Sequence, residues 1–86
     1  MARKKVKNIK SFGRYIKRSL ERYFTDLKGT EPTELYQQMV EELERHLFEY
    51  VMSHTNGNIT RTANILGISR ATLRKKLDYY GIPREQ

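Results

Sequence analysis

Apolar residues recur at intervals of three and four along most of the chain, which is the spacing that places side chains on one face of an α-helix. The first such run extends from Ile9 to Leu27, and its apolar residues fall in an arc of about 120°. The second run extends from Glu34 to His54. Between them, residues 27–33 read LKGTEPT, where glycine and proline end one helix and either threonine can cap the next. The pattern therefore predicts two long helices.

The second helix has a wider apolar face than a surface helix requires. Its apolar residues fill an arc of about 160°, whereas a stripe a little over about 100° wide is enough for an ordinary surface helix. Phe48 and Met52 lie beyond even this arc. One short neighbouring helix cannot cover so much surface, so the pattern predicts a homodimer built around this helix and its copy. In the alternative, the C-terminal helices fold back and cover the whole face. The predicted dimer interface consists of Leu35, Met39, Val40, Leu43, Leu47, Tyr50 and Val51.

The remaining residues predict two short helices joined by a tight turn. Residues 56–58 end the long helix, and Asn58 can cap a helix over residues 59–66. In the turn that follows, Gly67 can adopt a positive φ and Ser69 can cap the last helix. A small alanine in the first helix and a glycine in the turn are typical of the helix-turn-helix motif. The positions expected to face inward are Ile59, Ala63, Leu66, Ile68, Leu73, Leu77 and Tyr80.

Charges are unevenly distributed along the chain, which has 86 residues and a formal net charge of +7. Residues 1–28 hold ten Lys and Arg against two Asp and Glu, residues 29–53 hold one against six, and residues 54–86 hold six against two. Two basic ends therefore flank an acidic middle. This separation favours a polyanionic partner, with nucleic acid as the first choice and an anionic membrane as the second.

Cationic side chains concentrate on the last helix of the predicted motif. With Leu73 and Leu77 facing inward, Arg70 points towards solvent at the helix start, which normally enters the major groove. Arginine pairs with guanine O6 and N7 through two hydrogen bonds, so Arg70 is the candidate for base recognition. Polar side chains at the turn, and the cations further along, are placed to bind phosphates, although residues 74–76 are alternatively a solvated helix end. The predicted DNA-binding residues are Asn58, Thr60, Arg61, Arg70, Thr72, Arg74, Lys75 and Lys76.

Residues 20–82, and above all LYQQMVEELERHLFEYVMSHTNGNITRTANILGISRATLRKKLDYYGI, resemble the Fis family, the bacterial factors for inversion stimulation. The C-terminal module also resembles the one that ends enhancer-binding proteins of the nitrogen-regulator class. The resemblance implies an all-α protein of four helices, two forming an intertwined homodimer core and two a C-terminal helix-turn-helix. It implies a nucleoid-associated protein that bends DNA, binds degenerate sites and modulates transcription, recombination and replication. In the family the two recognition helices lie closer together than the roughly 34 Å between successive major grooves, so DNA must bend to meet both.

The resemblance implies DNA contacts at the residues named above, but the chain departs from the family pattern in several places. The resemblance adds Ser69 to the predicted DNA-binding residues, although Ser69 replaces an asparagine that the family uses at the groove. Asn56 replaces an arginine beside the turn, and His46 replaces a proline that kinks the long helix. The family's N-terminal β arm, which engages a DNA invertase, is replaced by MARKKVKNIK, so we do not expect recombinase activation. The predicted organisation is a disordered basic arm in residues 1–10, dimerisation helices in residues 11–54 and the helix-turn-helix module in residues 55–86.

The basic arm has three candidate roles: binding phosphates of flanking or second duplexes, contacting an acidic protein, or serving solubility alone. Other function classes find little support in the sequence. The chain has no cysteine, and its two histidines lie eight residues apart without a carboxylate cluster at metal-ligand spacing. We therefore expect no enzyme activity, no metal and no cofactor. No apolar run approaches the roughly 20 residues that cross a bilayer, so an intracellular protein is expected, and the resemblance implies a cytoplasmic, nucleoid-associated one. The alternative function is a basic amphipathic helical dimer that binds an anionic membrane or acidic protein partners.

Overall fold

The computed structural model describes residues 9–84, which contain four α-helices and no strand. The prediction of an all-α chain with four helices is confirmed. Within these residues, no helix combines the length and the apolar character needed to cross a membrane. The chain divides into two compact units, residues 1–33 and residues 34–86. The helices are α1, Ile9–Asp26; α2, Leu35–His54; α3, Ile59–Leu66; and α4, Arg70–Tyr80.

The first unit contains α1, an amphipathic helix with no buried residue. Ile16 and Leu20 are half-buried on its apolar side, and its cations are exposed. Gly13 does not interrupt the helix, although glycine lowers helix stability by about 1 kcal/mol relative to alanine. Because α1 begins at Ile9, the last two residues of the predicted N-terminal arm belong to the helix. The predicted disorder of residues 1–8 lies outside the described part of the chain.

The start of α2 differs from the sequence prediction. Glu34 occupies the cap position in the left-handed conformation, with φ 58° and ψ 29°, and no side chain caps the helix. The prediction that Thr30 or Thr33 caps it is therefore wrong, because neither residue precedes the first helical residue directly. From Leu35 onward the helix continues without a break through His46, whose imidazole contacts Glu42 at 2.8 Å. This hydrogen bond, followed by that from Arg45, lowers the pKa of the Glu42 carboxyl.

Two different faces of α2 carry apolar residues. Phe48 and Met52, the pair outside the predicted arc, are buried together with residues of α3 and α4. The arc itself stays largely open in the single chain, since Leu43 and Leu47 are exposed and Tyr50 is 72% exposed. The C-terminal helices therefore cover a different face of α2 from the wide apolar arc, which contradicts the fold-back alternative. The exposed large apolar residues of α2 are Tyr36, Met39, Leu43, Leu47 and Tyr50.

The core of the second unit lies where α2, α3 and α4 meet. Leu73 and Leu77 are completely buried, and burying one leucine side chain contributes about 1.5–3 kcal/mol. Ile82 follows α4 and closes the end of the cluster. Half-buried apolar side chains surround these residues. They are the remaining residues that the sequence predicted to face inward. The cluster consists of Phe48, Met52, Ala63, Leu73, Leu77 and Ile82, with Ile59, Leu66, Ile68 and Tyr80 packed against it.

Candidate nucleic-acid interface

The turn between α3 and α4 depends on Gly67. This residue has φ 75° and ψ 31°, a left-handed conformation that glycine adopts without steric cost. Its N–H donates to the Ala63 carbonyl at 2.8 Å, and the N–H of Ile68 donates to the same carbonyl at 3.1 Å. These bonds satisfy carbonyls at the end of α3 and direct the chain into α4. The predicted positive φ at Gly67 is confirmed.

Side-chain caps begin both helices of the motif, as the sequence predicted. The Asn58 Oδ1 atom accepts a hydrogen bond from the Arg61 N–H at 2.9 Å, and the Ser69 Oγ atom accepts one from the Thr72 N–H at 3.0 Å. Such a cap typically stabilises a helix by about 1 kcal/mol relative to alanine. The starts of α3 and α4, which carry most of the predicted DNA-binding residues, are therefore held by local contacts.

A buried pair of hydroxyl groups joins the end of α2 to α3. The Thr55 and Thr62 Oγ1 atoms lie 2.7 Å apart, and both side chains are buried. Thr55 also donates to the Met52 carbonyl at 3.2 Å and accepts from the Asn58 N–H at 3.2 Å. These bonds fix the turn from which Asn58 caps α3. This pair was not predicted from the sequence, although at about 100° per residue Thr62 lies only about 60° from the inward-facing Ile59 on the helix.

Four cations predicted to bind DNA are exposed on α3 and α4. They are Arg61, Arg70, Arg74 and Lys75. Within residues 9–84, none of these four forms an ion pair with a carboxylate. The first two lie near the starts of α3 and α4, and the other two lie one turn further along α4. Their charges are therefore available to an external anion, which is the electrostatic condition for binding phosphates.

An open groove connects α4 with the beginning of α3. Its lining includes Arg74 from α4, the first two residues of α3, Ile59 and Thr60, and the preceding residues Thr55, Asn56, Gly57 and Asn58. Three of the predicted DNA-binding residues, Asn58, Thr60 and Arg74, therefore lie around one depression of the surface. The Asn58 side chain uses its carbonyl oxygen for the cap, so its amide group remains able to donate to a phosphate oxygen. The groove joins the start of α3 and Arg74 of α4 into one polar surface.

Ser69 and Thr72 are exposed at the start of α4 but are bonded to each other. The Ser69 hydroxyl donates to the Thr72 Oγ1 atom at 3.0 Å while its oxygen caps the helix. A hydroxyl has only one hydrogen to donate, so Ser69 has none left for a base or phosphate acceptor in this arrangement. Thr72 retains its own hydroxyl hydrogen. The geometry therefore favours Thr72 over Ser69 as a donor to DNA.

Lys76 is placed differently from the other predicted contacts. It is half-buried, and its Nζ atom lies 3.1 Å from the Glu44 Oε1 atom of α2. The same carboxylate oxygen accepts a hydrogen bond from the Tyr80 hydroxyl at 2.6 Å. Burial, together with this bond and the charge of Glu44, raises the pKa of Tyr80. The structure thus directs Lys76 towards α2 and away from the exposed side of α4 that carries Lys75.

A second tyrosine also links α4 to α2. The Tyr79 hydroxyl donates to the Glu41 Oε2 atom at 2.5 Å, and Gln37 donates to the same oxygen at 2.7 Å. The hydrogen bond with Tyr79 lowers the pKa of the Glu41 carboxyl, and the same bond raises the pKa of Tyr79. No sequence pattern indicated these contacts, because Tyr79 and Glu41 lie 38 residues apart and each resembles an ordinary helix-surface residue.

The interface presents cationic and hydrogen-bonding groups. In the described part of the chain, no three His, Asp or Glu side chains are grouped so that they could hold a metal ion. The accessible groups are guanidinium, ammonium, amide and hydroxyl donors, which suit phosphate oxygens and the acceptor atoms of base edges. The arrangement can therefore hold a polyanion by several hydrogen bonds and ion pairs at once.

Comparisons with known proteins agree with this arrangement. The sequence model of a family described as bacterial regulatory protein, Fis family, matches residues 39–80, which extend from α2 through α4. Proteins named DNA-binding protein Fis from Glaesserella parasuis, Mannheimia haemolytica and Haemophilus ducreyi are each 48% identical to this chain over 67 residues. Each alignment covers 78% of this chain and 68% of the relative. The chain therefore belongs to the Fis family of bacterial regulatory proteins.

Proposed function

We propose that this protein is a DNA-binding homodimer that bends DNA and modulates transcription by inserting two copies of α4 into the major groove. The observation that supports DNA binding most strongly is the capped helix-turn-helix, which exposes Arg70, Arg74 and Lys75 on α4 without ion pairs in residues 9–84. The name of the relatives, DNA-binding protein Fis, agrees with it. The DNA-binding surface combines base recognition at the helix start with phosphate contacts around it.

Arg70 is the proposed base-reading residue. It is the first residue of α4, it is exposed, and the Ser69 cap fixes the backbone at this point. An arginine in this position can donate two parallel hydrogen bonds to guanine O6 and N7. The proposed phosphate contacts carry no sequence information, and they set the position of the helix on the duplex. They are Asn58, Thr60, Arg61, Thr72, Arg74 and Lys75, with Ser69 supporting the helix start.

The exposed apolar arc of α2 supports the homodimer. Met39, Leu43 and Leu47 follow one another at intervals of four residues, so they form a continuous row along the helix. Tyr36 is 82% exposed beside this row, and Leu35 and Val40 are half-buried. Single exposed apolar residues are common on protein surfaces, whereas a continuous row of this length is a surface that a second copy of the same helix can bury. Val51, which was predicted in the interface, is only 7% exposed in the single chain and has little surface left to bury.

A fluorescence-anisotropy titration tests the proposed function. The protein is titrated against two duplexes at three salt concentrations. One contains a bent binding site (the bent-site duplex), and the other has a random sequence (the random duplex). If several cations neutralise phosphates, log affinity falls linearly with log salt, by about 0.9 per neutralised phosphate. A flat dependence, or binding to anionic vesicles without binding to either duplex, would contradict DNA binding.

Two single variants test the division between base and phosphate contacts. Arg70→Ala is expected to weaken specific binding by about 1–3 kcal/mol and to reduce the preference for the bent-site duplex. Lys75→Ala, the matched control on the same helix, is expected to weaken binding to both duplexes alike and to make the salt dependence shallower. Equal losses on both duplexes for both variants would show that the assignment of roles is wrong.

A further inference from the structure

Lys76 lies on the side of α4 that faces α2, whereas Lys75 lies on the exposed side. At about 100° per residue, Lys76 lies about a quarter turn from Lys75, next to the buried Leu73 and Leu77. The side chains of Lys76 and Glu44 are 40% and 22% exposed, and their charged atoms are 3.1 Å apart. Lys75 is exposed and forms no ion pair within residues 9–84. Two adjacent lysines on one helix thus have different electrostatic surroundings.

Glu44 holds two groups of α4 with one oxygen atom. Its Oε1 atom accepts from Lys76 Nζ and, at 2.6 Å, from the Tyr80 hydroxyl. If Lys76 turned towards a phosphate, Glu44 would lose its cationic partner while remaining mostly covered by protein. Separating a partly covered carboxylate from its counter-charge is unfavourable, whereas Lys75 can reach a phosphate without breaking any such pair. The ion pair therefore competes directly with DNA for Lys76.

We infer that Glu44 withholds Lys76 from DNA, so that Lys76 acts as a positioning residue of the recognition helix rather than as a phosphate contact. The inference rests on the proposed DNA-binding function and refines it. Cations that reach phosphates strengthen binding to every sequence, since this term is independent of base identity. By pairing with Lys76, Glu44 prevents one such cation in each chain from contributing to sequence-independent binding. Glu44 thereby lowers affinity for random DNA and preserves the discrimination supplied by residues at the helix start.

Salt dependence distinguishes a withheld lysine from a bound one. Each lysine that neutralises a phosphate contributes about 0.9 to the slope of log affinity against log salt, which is about a 3.5-fold change between 50 and 200 mM salt. Lys75→Gln is therefore expected to reduce the slope by about 0.9 per bound chain. Lys76→Gln is expected to leave the slope unchanged. If Lys76 bound a phosphate as Lys75 does, the two variants would reduce the slope equally.

Removing the charge of Glu44 gives the opposite expectation. Glu44→Gln keeps an oxygen that can accept from Tyr80 but frees Lys76, so the slope is expected to become steeper by about 0.9 per bound chain. Affinity for the random duplex should rise more than affinity for the bent-site duplex. In the double variant Glu44→Gln with Lys76→Gln, the slope should return to the wild-type value. The inference is overturned if Lys76→Gln flattens the slope as much as Lys75→Gln, or if Glu44→Gln leaves it unchanged.

Amine footprinting of the unmodified sequence provides a measurement that needs no variant to fold. A small acylating reagent is applied to the wild-type protein with and without the bent-site duplex, and modified lysines are quantified by mass spectrometry. We expect the duplex to protect Lys75 and to leave the reactivity of Lys76 unchanged. Equal protection of both lysines overturns the inference while leaving DNA binding intact. Failure of any duplex to bind in the anisotropy titration overturns the proposed function, and the inference then falls with it.

Discussion

The buried hydroxyl pair of Thr55 and Thr62 is the residue-scale contact that secures the start of the helix-turn-helix. Its two oxygens lie 2.7 Å apart, and both side chains are buried. A buried hydroxyl without a partner loses its hydration and gains no protein contact in return. The pair is therefore more sensitive to substitution than exposed hydroxyls of the same helix, such as Thr60.

Thr62→Val should destabilise the protein more than Thr60→Val. The first change preserves shape and removes the bond to Thr55, which is expected to lower the free energy of unfolding by about 1 kcal/mol. The second change is on the exposed side of α3 and should lie within about 0.5 kcal/mol of wild type. Urea unfolding followed by circular dichroism measures both. Equal effects of the two variants would mean that the hydroxyl pair contributes nothing specific.

Features of the site that depend on neighbouring residues could be predicted from the sequence, whereas contacts between residues far apart in the sequence could not. The caps at Asn58 and Ser69 and the positive φ of Gly67 follow from residues within three positions of each other, and all three predictions are confirmed. Lys76 and Glu44 are 32 residues apart, so the basic run of α4 gave no indication that one lysine is ion-paired. A periodic pattern identifies a helix face but not the side chains that a distant helix places opposite it.

At the scale of the helix, α4 is attached to α2 through its C-terminal half. Its N-terminal half carries the exposed Arg70, and its other half carries the links to Glu41 and Glu44. The sequence pattern predicted the apolar faces of α2 only in part. The wide apolar arc was identified correctly, but Phe48 and Met52 looked surplus until the structure placed them in the core with α3 and α4. Which face of a doubly apolar helix meets which neighbour depends on packing.

Tyrosine ionisation reports the links between α4 and α2. The pKa values of Tyr79 and Tyr80 are raised, by the hydrogen bond to Glu41 for the first and chiefly by burial for the second. A raised folded-state pKa means that the contribution to stability is complete below the unfolded value of about 10 and is lost as the pH rises through the folded value. The folded protein should therefore become less stable in this alkaline range.

An ultraviolet absorbance titration of tyrosinate tests the two tyrosines of α4. Of the six tyrosines in the chain, two are expected to ionise at a higher pH than their ordinary value in the folded protein. Tyr80→Phe should remove one of these late ionisations. In strong denaturant the two late ionisations should disappear, because Tyr79 and Tyr80 then lose their hydrogen-bond partners and become exposed to solvent. A Tyr80→Phe variant that kept both late ionisations would contradict the proposed links.

At the scale of the whole molecule, the proposed homodimer follows from surface that the single chain leaves uncovered. The exposed row of Met39, Leu43 and Leu47 extends along α2, and Tyr50 continues the same face near its end. The acidic middle of the sequence and its basic C-terminal end have a matching explanation. The acidic carboxylates of α2 include Glu41 and Glu44, which bind α4, whereas exposed cations of the C-terminal end lie on α3 and α4.

Tyr50→Asp is expected to shift the dimer towards monomer by tenfold or more, about 1.4 kcal/mol. The change would place a carboxylate in an apolar interface, where it loses hydration without gaining a partner. Gln38→Asp is the matched control, because it adds the same charge to α2 at an exposed residue outside the predicted interface. Sedimentation equilibrium at micromolar concentration measures both variants. A wild-type protein that sediments as a monomer under these conditions would contradict the homodimer.

The most direct test of the central claim is affinity cleavage from the start of α4. The chain has no cysteine, so Ala71→Cys introduces a single thiol at an exposed residue of the first turn, and an iron–EDTA reagent can be attached there. Two copies of α4 in successive major grooves should give two clusters of DNA cleavage on one duplex, about one helical turn apart, each with the strand offset of a reagent in the major groove. Cleavage spread evenly along the duplex, confined to one cluster or no stronger than that of free reagent would rule out the binding of two α4 helices to one duplex.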